Sequence, residues 1–264
     1  MHGYLSVSLV TQYLTAVCVC QCALALMFDN FPATVDFFGR FRVGMGSFLK
    51  NSGRMFGIGC MLDVAGVRFS GMLVLLGHLC VEASREKDGR KLTAALFALL
   101  FITLVGNMIA RTTLVGVALV LAMWGLRSGA FIFNSASNRV WLIWRKLFFS
   151  LLVLVPVLVF LYNTSENMHK NLRFGFEGFF SLVEKGYWET GSNNHLETMV
   201  HWPDNTKTWM IGDGYFSGMG ATDPYMLEHG LVDDVFYMST DIGYCRFIFY
   251  FGLIGLSVFI WYFL

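Results

Sequence analysis

The chain has 264 residues, 56% of them hydrophobic and only 14% charged, with a mean hydropathy of +0.58. A soluble domain carries about 25% charged residues, and here the apolar excess falls in long runs, which excludes an ordinary soluble globular domain. The net charge of +1 gives no basis for nucleic acid as a partner.

Six apolar segments follow one another: residues 4–28, 56–81, 92–110, 112–126, 147–162 and 243–264. A bilayer span takes about 20 residues, with about 17–25 tolerated. The pattern therefore predicts an all-α polytopic membrane protein of about six transmembrane helices. Asp63 and Arg68 interrupt the second run. They stand five residues apart, about 140° around a helix, so they are not expected to pair. The fourth and fifth runs are short, so their helices extend into flanking residues or run shallow. The organisation reads as five spans with short loops over 1–162, one large loop over 163–242, and a sixth span over 243–264. The N-terminus lacks the basic region and small-residue cleavage site of a signal peptide, so the first run is expected to be a retained span. The last run stops at Phe263-Leu264 with no polar residue after it, which points to a fragment of a longer polytopic protein.

Basic residues set the expected orientation. Loop 82–91 carries Arg85, Lys87, Arg90 and Lys91, and loop 127–146 carries Arg127, Arg139, Arg145 and Lys146 with no acid. The positive-inside rule places both on the cytoplasmic side. Residues 29–55, the Arg111 turn and the large loop then face the other side, making the large loop extracytoplasmic. That loop holds 12 acids and four bases.

Cys18, Cys20 and Cys22 resemble a metal cluster on paper. Residues two apart on a helix diverge by about 200°, and no His or further Cys stands nearby, so small apolar filler is the better reading. His195 and His201, six apart, have poor spacing for zinc.

Several charged residues remain to be explained. The first outer loop places Arg40, Arg42, Lys50 and Arg54 within 15 residues beside Phe and Gly. Guanidinium forks suit phosphate oxygens, and such side chains also snorkel to lipid head groups. Arg111 is a lone cation in GNMIARTTLVG, between two apolar runs. It is an interfacial anchor or the holder of an anionic substrate. The start of the large loop, ENMHKNLRFGFEGFFSLVEKG, has apolar residues at helical spacing and suits an amphipathic helix on a membrane surface. In its remainder, Trp188, Trp202, Trp209 and Tyr215 mix with Asn, Asp and Glu, which suits a sugar surface or an interfacial belt. GDGYFSGMG lacks the Lys-Ser/Thr of a P-loop and reads as a tight turn. Asp241 and Arg246 flank the start of the last run, as anchors or as functional groups.

Four pieces together resemble the O-antigen polymerase and ligase superfamily, most closely the polymerases of surface or exopolysaccharide repeat units. They are Gly39-Arg40 followed by Gly44 and Asn51; the Ala110-Arg111-Thr112-Thr113 turn, with Ala where the family has Ser; the large loop with Gly212-Asp213-Gly214-Tyr215; and Thr240-Asp241-Ile242-Gly243-Tyr244 with Arg246 and Gly252-Leu253-Ile254-Gly255. The resemblance implies a bacterial inner-membrane glycosyltransferase. It would join undecaprenyl-diphosphate-linked oligosaccharide repeat units into O-antigen (part of lipopolysaccharide) or exopolysaccharide, with no nucleotide sugar and no metal or other cofactor. A flippase and a chain-length regulator are the implied partners, beside the lipid bilayer. Arg40, Arg111, Arg173 and Arg246 are the candidates for the lipid diphosphate. Asp241, Asp213 and His195, in that order, are the candidate bases for the acceptor hydroxyl. The large loop then reads as a lid and acceptor platform. The alternatives are a ligase of the same superfamily, which shares the donor chemistry, and, in a different class, a polysaccharide or lipid transporter. A transporter would carry charges deep in several spans and short loops on both sides.

Overall fold

The computed structural model describes residues 6–39, 54–60, 62–127, 138–215, 237–240 and 242–263. Among them no strand forms; Gly57 and Cys60 make a single β-bridge in a tight turn. The chain divides into two compact units, Met1–Phe180 and Ser181–Leu264.

The first unit begins with α1 (Val7–Asn30), capped by the Ser6 side chain accepting the Leu9 amide. Cys18, Cys22, Ala25 and Phe28 form its buried stripe, while Cys20 is exposed. Cys18 and Cys22, four residues apart, share that buried face and only Cys20 diverges; against the expectation that no further Cys stands nearby, Cys60 lies beside them. Pro32 opens α2 (Pro32–Gly39), where a missing amide costs nothing.

Next comes α3 (Leu62–Glu86), the hub of this unit, packed against α1, α4, α5 and α6. Asp63 lies in its first turn, where the helix dipole favours an acid. Arg68 donates instead to the Gly59 carbonyl. Asp88 then caps α4 (Gly89–Ile109), accepting the Arg90 and Lys91 amides at 3.0 Å each, and Lys91 pairs with Glu86 at 2.9 Å. These contacts close a tight α3–α4 hairpin.

The turn at Arg111 leads into α5 (Thr113–Arg127), and α6 (Asn138–Thr164) follows. The short fifth run of the sequence does extend: its apolar stretch covers Trp141–Thr164, 24 residues. The fourth does not. At 15 residues α5 is about 22 Å long, against a hydrocarbon core of about 30 Å. Among the described residues five helices are long and apolar enough to cross a membrane, against about six expected: α1, α3, α4, the Trp141–Thr164 stretch of α6, and the last helix. The outer surface of α6 is almost wholly apolar, with Phe148, Leu152, Val153 and Phe160 exposed. Such a surface belongs against lipid.

Lipid offers no hydrophobic force to hold α3 and α5 together, so close packing must do it. A Cβ at Gly116 would lie 2.5 Å from the Ser70 Cα and 2.7 Å from the Ser70 carbonyl oxygen. One at Gly66 would collide with the Thr112 side chain, and one at Gly77 would lie 3.0 Å from Val120 and Met123. The two backbones touch because these positions lack side chains. Ser70 Oγ donates to the Thr112 carbonyl at 2.7 Å, and Trp124 Nε1 to the Gly77 carbonyl at 3.0 Å. At the far end of α4, Lys146 of α6 donates to the Gly89 carbonyl at 3.0 Å and to Thr93 Oγ1 at 2.8 Å.

The segment read as one amphipathic helix is two, α7 (Glu166–Gly175) and α8 (Glu177–Lys185), hinged at Phe176. α7 packs on α6 and α4 and buries Asn171, Leu172 and Gly175.

The second unit takes the chain from Ser181. Ser181 Oγ accepts the Glu189 amide at 2.7 Å and donates to the Tyr187 carbonyl at 3.1 Å. Then come α9 (Gly191–Thr198), α10 (Thr206–Ile211), a 3₁₀ turn (Tyr237–Ser239) and α11 (Gly243–Phe263). α10 packs on α11.

The last apolar run is not one continuous helix. Gly252 has φ +62° and ψ −178°, which breaks α11 within its apolar length. The cause is Gly212, itself at φ +71°. A Cβ on Gly212 would lie 2.5 Å from the Tyr250 carbonyl oxygen and 2.8 Å from the Gly252 amide nitrogen, while one on Gly252 would collide with Met210 and Ile211.

Two substitutions test these contacts. Gly116→Ala should lower the unfolding temperature in detergent, at a cost of about 1–3 kcal/mol for overpacking; wild-type melting would refute the backbone contact. Gly252→Ala should cost about 1–3 kcal/mol from backbone conformation alone, and more from the collision with Met210. Unchanged thermal unfolding of that variant would exclude the break in α11.

Candidate functional site

Among the described residues, two polar clusters, one in each unit, include residues singled out in the sequence. In the first, the cluster is built on the α4–α5 turn. The α4 C-terminus is formed by Ile109, with Ala110 extended and its amide bonded to the Gly106 carbonyl. That turn projects Arg111. Its Nε donates to the Phe174 carbonyl at 2.9 Å, its guanidinium pairs with Glu177, and its Cζ lies 4.3 Å from the Phe174 ring centroid. Arg54 lies over the same ring at 5.2 Å. Burial pulls the Arg111 guanidinium below its ordinary value and Arg54 adds to this, while Glu177 opposes it. The group stays charged because its starting value is so high.

The surrounding turn is polar and partly unsatisfied. Asn107, fully buried, donates to the Gly175 carbonyl at 2.6 Å. Asn107 Oδ1, Thr112 Oγ1 and Thr113 Oγ1 are buried with no hydrogen-bond partner among the described residues. Gly175 is required here, because a Cβ would lie 3.1 Å from the Asn107 carbonyl oxygen. Arg111 is thus both a cation at the end of an apolar hairpin and the clasp that holds residues 174–177 onto it.

Arg173 belongs to the same unit but turns elsewhere, with its Cζ 5.3 Å from the Phe180 ring. Arg40 lies outside the described residues.

In the second unit the cluster is built on Asp213, whose side chain is 12% exposed. Its Oδ1 accepts from Thr208 Oγ1 at 2.8 Å and Lys207 Nζ at 3.3 Å; its Oδ2 accepts from the Tyr237 hydroxyl at 3.3 Å. The Asp213 amide donates to the Phe249 carbonyl at 2.6 Å, at the break in α11. Asn205 caps α10 and so orients Thr208 and Lys207. Gly212 and Gly214 on either side both adopt positive φ, and the stretch seats Asp213 against a broken helix; residues 216–220 of the run read as a tight turn lie outside the described residues.

His195 lies in the last turn of α9, exposed, and joins neither cluster. Arg246 sits in the first turn of α11, its amide bonded to the Ile242 carbonyl. Asp241 lies outside the described residues. Sequence reasoning missed Glu177, Asn107, Thr208, Lys207 and Tyr237 as members of these clusters. Glu177 and Lys207 were visible only as charges in a loop, and Tyr237 is 24 residues from Asp213 with no local pattern to link them.

Removing the Glu177 charge while keeping its shape, as Glu177→Gln, should cost about 1 kcal/mol, because the pair is partly exposed and screened. Arg111→Ala loses the carbonyl bond and the ring contact as well and should cost more. Amide exchange across residues 171–177 reads both, and equal protection in the two variants would rule out the clasp.

The chain matches no family model, no curated protein and no solved structure.

Proposed function

We propose that the protein is a membrane glycosyltransferase that polymerises undecaprenyl-diphosphate-linked repeat units on the outer face of a bacterial cytoplasmic membrane. The observation that carries the reading is the pair of guanidinium groups, Arg54 and Arg111, gathered over the Phe174 ring. Arg111 stands at the end of an apolar hairpin, with Arg54 over the same ring. Cations at the edge of a span suit the diphosphate of a lipid-linked sugar.

As the glycosidic bond to phosphate breaks, negative charge grows on the departing diphosphate. Arg111 and Arg54 would neutralise it, with Arg40, Arg173 and Arg246 as further candidates. A positioned donor of this kind is worth about 2.7–4 kcal/mol in enzymes where it has been removed. The acceptor hydroxyl must lose a proton as it attacks the anomeric carbon. Asp213 is the proposed base, since Thr208, Lys207 and Tyr237 fix both of its oxygens. Such a base contributes roughly 10²–10⁴ in rate. Asp241 is the second candidate and His195, outside either cluster, the third.

Gel analysis of surface glycan in a deletion strain tests the assignment. Loss of long chains with single repeat units still transferred is the expected pattern; loss of all transfer would indicate a ligase instead. In complemented cells, Arg54→Ala, Arg111→Ala and Asp213→Asn should each cut chain extension by about 10²-fold or more. Membrane levels must match wild type. Arg54→Ala and Asp213→Asn carry the test if Arg111→Ala loosens the fold. Normal glycan length in both would defeat the proposal.

A further inference from the structure

The cysteines of the first unit take no part in its polar cluster, yet three of them converge. Cys18 and Cys22 lie on the buried stripe of α1, and Cys60 closes the turn that precedes α3. That turn is laid along α1. Met55 is buried, the Phe56 ring lies 6.1 Å from the Phe28 ring, and Gly57 and Cys60 exchange both backbone hydrogen bonds, at 2.8 and 3.2 Å. Arg68 of α3 holds the same turn through the Gly59 carbonyl.

The seat of the Cys60 sulfur is narrow. Its Sγ lies 3.6 Å from the Gln21 carbonyl oxygen, whose carbon is bonded directly to the Cys22 nitrogen. A Cβ at Gly57 would meet that sulfur at 2.8 Å, the same Gln21 oxygen at 3.1 Å and the Ala25 Cβ at 3.2 Å. Glycine at 57 therefore leaves room for the sulfur against α1. Cys22 and Cys60 are both 0% exposed, and they sit within electrostatic reach of each other. Cys18 stands about one helical turn nearer the N-terminus, and Cys20 is exposed.

Cys22 lies about two turns from the end of α1, so the turn reaches past that end along the helix. Lipid supplies no hydrophobic force to keep it there, whereas a covalent bond would. The basic loops make this end of α1 the one expected outside the cytoplasm, where cysteines oxidise. From this geometry we infer that Cys22 and Cys60 are partners in a disulfide that pins residues 54–60 to α1. The structure holds the reduced pair. The oxidant is the disulfide of a protein thiol oxidase. One cysteine thiolate attacks it and releases one of its thiols; the other thiolate attacks the mixed disulfide and releases the second. Two electrons pass to the oxidant, and the two protons end on its thiols. Both sulfurs are buried in the fold, so the exchange precedes docking of the turn. The bond fixes the segment that carries Arg54 to the Phe174 ring. Only the value of holding Arg54 rests on the transferase reading; the bond itself does not.

Thiol counting on the full chain tests the bond. Bacterial cells expressing it would be quenched in acid, and the chain unfolded in SDS and labelled with a maleimide–polyethylene glycol, with and without prior reduction. Each label retards the chain on a gel. Wild type should take up two more labels after reduction than before. Cys22→Ala and Cys60→Ala should each abolish that difference, and Cys18→Ala should keep it. Equal labelling of wild type before and after reduction overturns the bond. A difference that survives in Cys22→Ala and vanishes in Cys18→Ala overturns the pairing. So does a wild-type band at twice the chain's mass that collapses on reduction, which would place the bond between two chains. The wild-type count stands by itself if a variant fails to fold. None of these outcomes depends on glycan, so normal glycan in a deletion strain with the two-label difference intact would sink the transferase and leave the disulfide.

Discussion

Backbone contact between α3 and α5 underlies the rest of the first unit. In lipid, two apolar helices gain nothing by leaving one apolar environment for another, so their association depends on how closely they approach. Gly66 and Gly77 on one helix and Gly116 on the other lack the side chains that would keep them apart, and Gly116 lies against the Ser70 backbone. Their meeting fixes the direction in which α5 leaves the turn, and with it the position of Arg111. The Ser70 hydroxyl bond to the Thr112 carbonyl, which also accepts the Val115 amide, ties α3 to the turn.

From that turn the order passes to the segment after α6. Arg111 takes the Phe174 carbonyl and the Glu177 carboxylate, while Asn107 takes the Gly175 carbonyl. A buried arginine without such partners would be costly.

The second unit uses glycine differently. Gly212 and Gly252 both adopt positive φ and approach until each excludes a Cβ on the other. Breaking α11 there brings the Phe249 carbonyl to the Asp213 amide. A broken apolar helix with polar groups at the break is how membrane proteins place hydrogen-bonding chemistry without exposing backbone to lipid.

Apolar runs by themselves determined the all-helical membrane character, and the bounds of the third run agree with α4 to within three residues at its N-terminus and one at its C-terminus. The reason is physical: length and hydropathy are local, additive properties of a run. Arg111 stood out for a similar reason, as a charge between two such runs. Tertiary structure decided the remainder. α5 fell short of a span, α11 proved to be broken, and Arg111 acquired Glu177 from 66 residues downstream. Asp213 acquired Tyr237 in the same way. Those outcomes depend on which glycine meets which backbone and which charge meets which carbonyl, and contacts between distant residues leave no periodic trace in a single sequence.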